Sequence, residues 1–131
     1  MRYIIFSDIH NHTTALQQIL ADAQRHSPDA FYCLGDVGTD ASVEVVRSAN
    51  IPTVFGNWEV SNWRYLSPDN QQWALALPPL LQFSEMWLAH AAPVWSPKIK
   101  SLADLLANPQ VRRNGKLFPY LDFEEDYLWQ S

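Results

Sequence analysis

Two carboxylates, an amide and two imidazoles punctuate this chain in a regular order: Asp8 with His10, then Asp36, then Asn57, then His90. Each follows a short apolar run: Tyr3-Ile4-Ile5-Phe6, Ala30-Phe31-Tyr32-Cys33-Leu34, Pro52-Thr53-Val54-Phe55 or Met86-Trp87-Leu88-Ala89. Runs of this kind bounded by turn residues read as buried strands, so a donor group sits at the end of each successive strand. In open α/β sheets, ligands bind off those carboxyl ends. Carboxylate, amide oxygen and imidazole together suit a divalent Mn, Fe, Co or Zn ion, and the lack of thiolates argues against a structural zinc. Each residue alone has a plainer reading: Asp8 and Asp36 as turn-stabilising side chains, Asn57 as a Gly-Asn turn, His90 as a satisfied strand-end histidine. The ordered set favours the joint reading, as does the placement of two of the four glycines, Gly35 and Gly56, directly before Asp36 and Asn57, where tight turns would aim the next side chain.

The elements that must position these groups follow from periodicity. Arg2 to Ser7 reads as a first strand, and Thr13 to His26 carries Leu16, Ile19, Leu20 and Ala23 at the spacing of one helical face. Ala30 to Leu34 gives a second strand, Asp40 to Ser48 a helix with Val43 and Val46 inward, and Pro52 to Phe55 a third strand. Alternation of strand and helix implies a parallel sheet with right-handed crossovers. Ser61 to Leu77 reads as helical in pieces, ended by Pro78-Pro79. Leu80 to Phe83 and Met86 to Ala89 then form a hairpin over Ser84-Glu85. Ser101 to Ala107 reads as a helix capped by Ser101 with Asp104, and Asp122 to Gln130 begins another.

Length and composition narrow the class. The chain has 131 residues, 47% hydrophobic and 18% charged, which fits one globular domain over residues 1–131 without a long disordered tract. Net charge is −5, with Arg112-Arg113 and the spaced Lys98 and Lys100 as its basic clusters, so a nucleic-acid surface is not supported. The single cysteine, Cys33, lies within an apolar run and excludes an internal disulfide. The N-terminal apolar stretch is too short for a signal or a membrane span of about 20 residues, and a cytoplasmic location is expected.

Ser7-Asp8-Ile9-His10 through Leu16, Leu34-Gly35-Asp36 and Val54-Phe55-Gly56-Asn57-Trp58-Glu59, with the later strand-terminal His90, resemble the ordered motifs of the calcineurin-like metallophosphoesterases, in their small bacterial phosphatase and phosphodiesterase branch. The resemblance implies an αββα sandwich of mixed sheets. It also implies a site for two divalent metal ions, with Asp8 and His10 on the first, Asp36 bridging, and Asn57 and His90 on the second. Asp36 and Asn57 would be its catalytic core, and the reaction would be hydrolysis of phosphate mono- or diesters by a metal-bound hydroxide. Glu59 resembles an acidic partner that orients a ligand.

The departures are as informative. Asn11-His12 stands where many relatives carry Gly-Asn, so His12 reads as a loop or helix-start residue, with phosphate contact the lesser alternative. Trp58 replaces a family histidine that serves the leaving group; an indole cannot exchange a proton near neutral pH, and its ring reads equally as packing or as an aromatic wall for substrate. No histidine follows His90, whereas relatives carry a late Gly-His-x-His, so both metal shells are short of a ligand and the sandwich is expected to lack its last strands. Five of the six tryptophans, Trp63, Trp73, Trp87, Trp95 and Trp129, follow the third motif, from which an exposed apolar face and a homodimer are expected. A partner's Asp122, Glu124 or Glu125 could then lend a ligand. The competing expectation is a non-catalytic, shortened scaffold that acts by self-association or partner binding.

Overall fold

The computed structural model describes residues 1–90 and 95–107. Strand β1 (Tyr3–Phe6) runs parallel to β2 (Ala30–Cys33), with Tyr3 opposite Ala30 and Phe6 opposite Cys33. Helix α1 (Thr13–Gln24) makes the crossover between them, and α2 (Asp40–Ser48) follows β2. These elements form where their periodicity places them.

The expected third strand contracts to a single parallel bridge between Cys33 and Thr53. Pro52 has no N–H to give, so it only accepts, from the Cys33 amide at 3.0 Å. Val54 donates back to Cys33, and the Phe55 amide then turns to the Pro78 carbonyl at 3.0 Å. This segment therefore links β2 to the hairpin of β3 (Leu80–Gln82) and β4 (Trp87–Ala89), which pair antiparallel.

Between them lie α3 (Asn57–Asn62), a 3-10 turn at Trp63–Tyr65 and α4 (Pro68–Leu75). The helical region was expected from Ser61 but begins at Asn57, so Asn57 opens a helix instead of occupying a turn. Its cause is Glu59, whose carboxylate accepts the Gly56 N–H at 2.7 Å, the back-bond of a capping box. Helix α5 (Leu102–Ala107) starts after Ser101, whose hydroxyl accepts from the Asp104 N–H at 3.3 Å. The helix expected from Asp122, the carboxylates Asp122, Glu124 and Glu125, and Trp129 lie outside the described residues.

The core gathers Leu16 of α1, Cys33 of β2, Val43 and Val46 of α2, Phe55, and Leu102 and Leu105 of α5. Trp63, Trp73 and Trp95 pack against this core, so three of the five tryptophans expected on an apolar face turn inward; Trp87 is 50% exposed. Asn70 on α4 forms a buried polar knot: its amide donates to Asp40 Oδ1 at 2.7 Å while its carbonyl accepts from Arg47 at 2.7 Å, binding α4 to both ends of α2. The apolar stripe of α1 is narrower than its spacing implies: Leu16 is fully buried, but Ile19 is 43% exposed. Leu16→Ala should therefore lower the unfolding free energy by about 3 kcal/mol, and Ile19→Ala by less than about 1 kcal/mol, in urea titrations. Equal losses would contradict this assignment of the core face.

Candidate metal centre

The donor groups ride on segments whose backbone is left-handed. Asp8 has φ 57°, His10 46°, Asn11 67° and Asp36 55°, conformations that a non-glycine residue holds only when its surroundings impose them. What imposes them is a ladder that continues past the ends of β1 and β2. The Asp8, His10 and Asn11 amides donate to the carbonyls of Gly35, Asp36 and Val37 at 3.1, 3.0 and 3.0 Å. The two loops thus run side by side, and Asp8, His10 and Asp36 bring their donor atoms within 4.8 Å of one another.

The other half of the site comes from α3 and β4. His90 Nε2 lies 3.1 Å from Asn57 Oδ1 and 3.5 Å from Asp36 Oδ2. His10 Nε2 lies 3.1 Å from Asp8 Oδ1 and 3.6 Å from the same Asp36 Oδ2. One carboxylate oxygen is therefore shared by both imidazoles, while Asp36 Oδ1 is taken by the Trp58 N–H at 2.8 Å. His90 Nδ1 donates to the Leu34 carbonyl at 2.8 Å, which leaves Nε2 facing the oxygens of Asn57 and Asp36. Imidazole nitrogens and carboxylate and amide oxygens that converge in this way fit a cation between them, and their types match a Mn, Fe, Co or Zn ion.

The two glycines serve different ends. Gly35 has φ 95°, which demands glycine, and a Cβ there would lie 2.6 Å from the Gly56 nitrogen. Gly56 has φ −109°, so turn freedom is not its reason. A Cβ on Gly56 would strike the Asp36 carboxylate and come within 2.9 Å of His90 Nδ1, so glycine is needed there for close approach.

Glu59 is the residue beneath this arrangement. Its carboxylate, 1% exposed, accepts from the Asp36 N–H at 2.8 Å, the Val37 N–H at 3.0 Å and the Gly56 N–H at 2.7 Å. Burial pushes its pKa up to about 7, against the lowering effect of those three amides. Burial likewise raises Asp36, whereas the Ser7 hydroxyl chiefly holds Asp8 below the ordinary carboxylate range. His12 is exposed at the start of α1, and Trp58 is half-buried, contributing its backbone amide to Asp36. Five participants lay beyond sequence reasoning: the Leu34 carbonyl, the Trp58 amide, the Ser7 hydroxyl, Asn11 and its partner Thr39. Two act through main-chain atoms and carry no residue-type signal. The Gly56-x-x-Glu59 spacing did carry one.

With that geometry in place, the chain's relationships are clear. The family described as the calcineurin-like phosphoesterase superfamily domain matches residues 1–109, and the chain belongs to that superfamily. Phosphoester hydrolysis is the general activity of that superfamily, and divalent metals are its usual cofactors. Among solved structures, a metallophosphoesterase from Sphaerobacter thermophilus is similar, with TM-score 0.63 and 26% identity over 72% of this chain and 49% of that one. The chain thus spans about half the length of that relative. No curated protein matches the chain. The mixed α/β architecture, with its parallel and antiparallel pairs, agrees with this similarity.

Glu59 generates a test of the metal-free protein. Glu59→Ala orphans three buried amides and should cost about 3 kcal/mol or more, while Glu59→Gln, which keeps one acceptor oxygen, should cost about 2 kcal/mol. Because its folded pKa stands above its ordinary 4.5, Glu59 favours folding fully below pH 4.5 and loses that contribution as the pH climbs through about 7. Unfolding free energy should fall across that window, Asp36 adding in the same direction, and Glu59→Gln should flatten the fall. A stability that rises there, or an unchanged slope in the variant, would refute the assignment.

Proposed function

We propose that the protein is a metal-dependent phosphoesterase whose ions are held by Asp8, His10, Asp36, Asn57 and His90. The observation that carries this reading is Asp36 Oδ2, set 3.6 Å from His10 Nε2 and 3.5 Å from His90 Nε2, where one oxygen can serve two ions. When bound, a pair of divalent ions would polarise the phosphoryl group and acidify a water for attack on phosphorus. The chain's own residues do the rest. The Trp58 amide holds Asp36 Oδ1 so that Oδ2 faces the imidazoles, and the Leu34 carbonyl fixes the His90 tautomer. Glu59 ties the loop after β2 to the start of α3 beneath them. Asp36 and Asn57 are assigned as the catalytic core, and His12 and Trp58 are the candidates for contact with a phosphate.

Trp58 cannot protonate a leaving group, so the substrate range should favour phosphodiesters and monoesters whose leaving group departs as a stable anion. Among the described residues no helix is long and apolar enough to cross a membrane. A reducing, cytoplasmic setting fits the lone buried Cys33, whose thiol burial pushes up to about 12.

We also infer a homodimer. Its support is the free edge of β1, which among the described residues pairs only with β2, and the exposure of Ile5 at 44%, Phe83 at 37% and Trp87 at 50%. A twofold partner would cover such an edge. Light scattering at low micromolar concentration should give twice 15.0 kDa, and a stable species of 15.0 kDa would overturn the inference.

For the metal centre, Asp36→Asn should weaken Mn²⁺ binding by more than about 100-fold, and His10→Ala or Asn57→Ala by less, because only Asp36 serves both half-sites. Equal losses would argue against a bridge. Hydrolysis of an activated phosphodiester should require Mn²⁺ and vanish in Asp36→Asn. Metal uptake without hydrolysis would favour the rival reading of a non-catalytic scaffold.

A further inference from the structure

The loop that carries Asp8 and His10 has little shape of its own. Three of its residues are left-handed, and its amides are donated outward to the 35–37 carbonyls, so its form is borrowed from the loop that carries Asp36. Asn11 is the last residue in this borrowed ladder, with its amide 3.0 Å from the Val37 carbonyl. Beyond it the chain enters α1. At this point the side chain adds a second tie: Asn11 Oδ1 accepts from the Thr39 hydroxyl and, at 3.4 Å, from the Thr39 N–H. Gly38, φ 131°, lies flush against it, where a Cβ would come 2.6 Å from the Asn11 nitrogen and 2.7 Å from its Cα. Glycine would meet the backbone demand at position 11 more easily than asparagine, whose φ is 67°. What asparagine adds is the acceptor.

We propose that the Asn11–Thr39 pair is a positioning latch for the metal centre: it closes the free end of the two paired loops and thereby holds the 3.6 Å separation of His10 from Asp36. The inference rests on the metal-site reading above and adds a role for two residues outside the proposed ligand set. The latch is separable from helix capping, because the Thr39 side chain makes no cap hydrogen bond to α2. It is also separable from the neighbouring tie between α1 and α2, where the Thr13 and Ser42 hydroxyls meet at 2.7 Å.

The test is calorimetric titration with Mn²⁺ of the unaltered chain, Asn11→Gly, Thr39→Val, their double variant and Thr39→Ser. Asn11→Gly keeps the left-handed backbone and removes the acceptor, and Thr39→Val keeps the branched shape and removes the donor. Each should weaken Mn²⁺ binding about tenfold, in the range of other groups that orient ligands without touching the metal. The double variant should be no weaker than either single one, since both break the same bond. Thr39→Ser, which retains the hydroxyl, should bind like the unaltered chain. Unaltered affinity in both single variants, a double variant whose losses add, or a Thr39→Ser as weak as Thr39→Val would overturn the latch while leaving the metal site standing. Absence of Mn²⁺ uptake by the unaltered chain would overturn both together.

Discussion

A buried carboxylate bonded to three main-chain amides is the constraint on which the rest of this site depends. Glu59 joins the Asp36 and Val37 amides after β2 to the Gly56 amide before α3. Removing a carboxylate from water costs several kcal/mol, and hydrogen bonds to a charged acceptor return about 1.5–3 kcal/mol each. Three such bonds are what make the burial tolerable. In return the carboxylate settles where two loops stand relative to each other, and those loops carry Asp36 and Asn57. The same contact explains why α3 begins at Asn57: the helix start and the site are one feature.

Strain is distributed accordingly. Among the described residues, six non-glycine residues have positive φ. Ser27 and Asn50 lie just past the ends of α1 and α2, where a left-handed residue is an ordinary way to stop a helix. The other four, Asp8, His10, Asn11 and Asp36, fall on the two paired loops, and such conformations cost on the order of 1–3 kcal/mol each. They persist because the Asp8, His10 and Asn11 amides find carbonyls on the facing loop and the Asp36 amide finds the Glu59 carboxylate. The cost is thus concentrated where side chains must be aimed at one point, and the core of Leu16, Val46, Phe55 and Leu102 offsets it from below.

Much of this was legible in the residues. β1, α1, β2 and α2 were readable because Tyr3 to Phe6, Leu16 with Ala23, Ala30 to Cys33 and Val43 with Val46 repeat at strand or helix spacing. The convergence of Asp8, His10, Asp36, Asn57 and His90 was readable because each closes an apolar run. Misreadings arose where tertiary contacts overrule local pattern. Pro52 to Phe55 looks like a strand, yet Pro52 lacks an amide and Phe55 bonds elsewhere. Ile19 has the spacing of a core residue but faces water. Gly56 looked like a turn residue, and its reason is the space taken by Asp36 and His90, which sequence order does not show. The inward packing of Trp63, Trp73 and Trp95 was hidden for the same reason: apolar content says that a side chain seeks cover, not whose.

The two carboxylates nearest the imidazoles are pushed in opposite directions, and this bears on what the site can hold. Asp8, half-exposed and bonded by Ser7, stays ionised readily, whereas burial raises Asp36 and makes its charge costly. Asp36 Oδ1 already accepts the Trp58 amide, so relief must come at Oδ2, the oxygen that faces His10 and His90. Only a proton or a cation can supply it. With Nδ1 of His90 committed to the Leu34 carbonyl, it is Nε2 that faces Asp36 Oδ2, so a proton on that ring or a cation between the half-sites would each relieve the buried carboxylate. The buried carboxylate and the oxygen shared by two imidazoles therefore point the same way: both are costly for the folded chain alone and become favourable when positive charge lies between the half-sites.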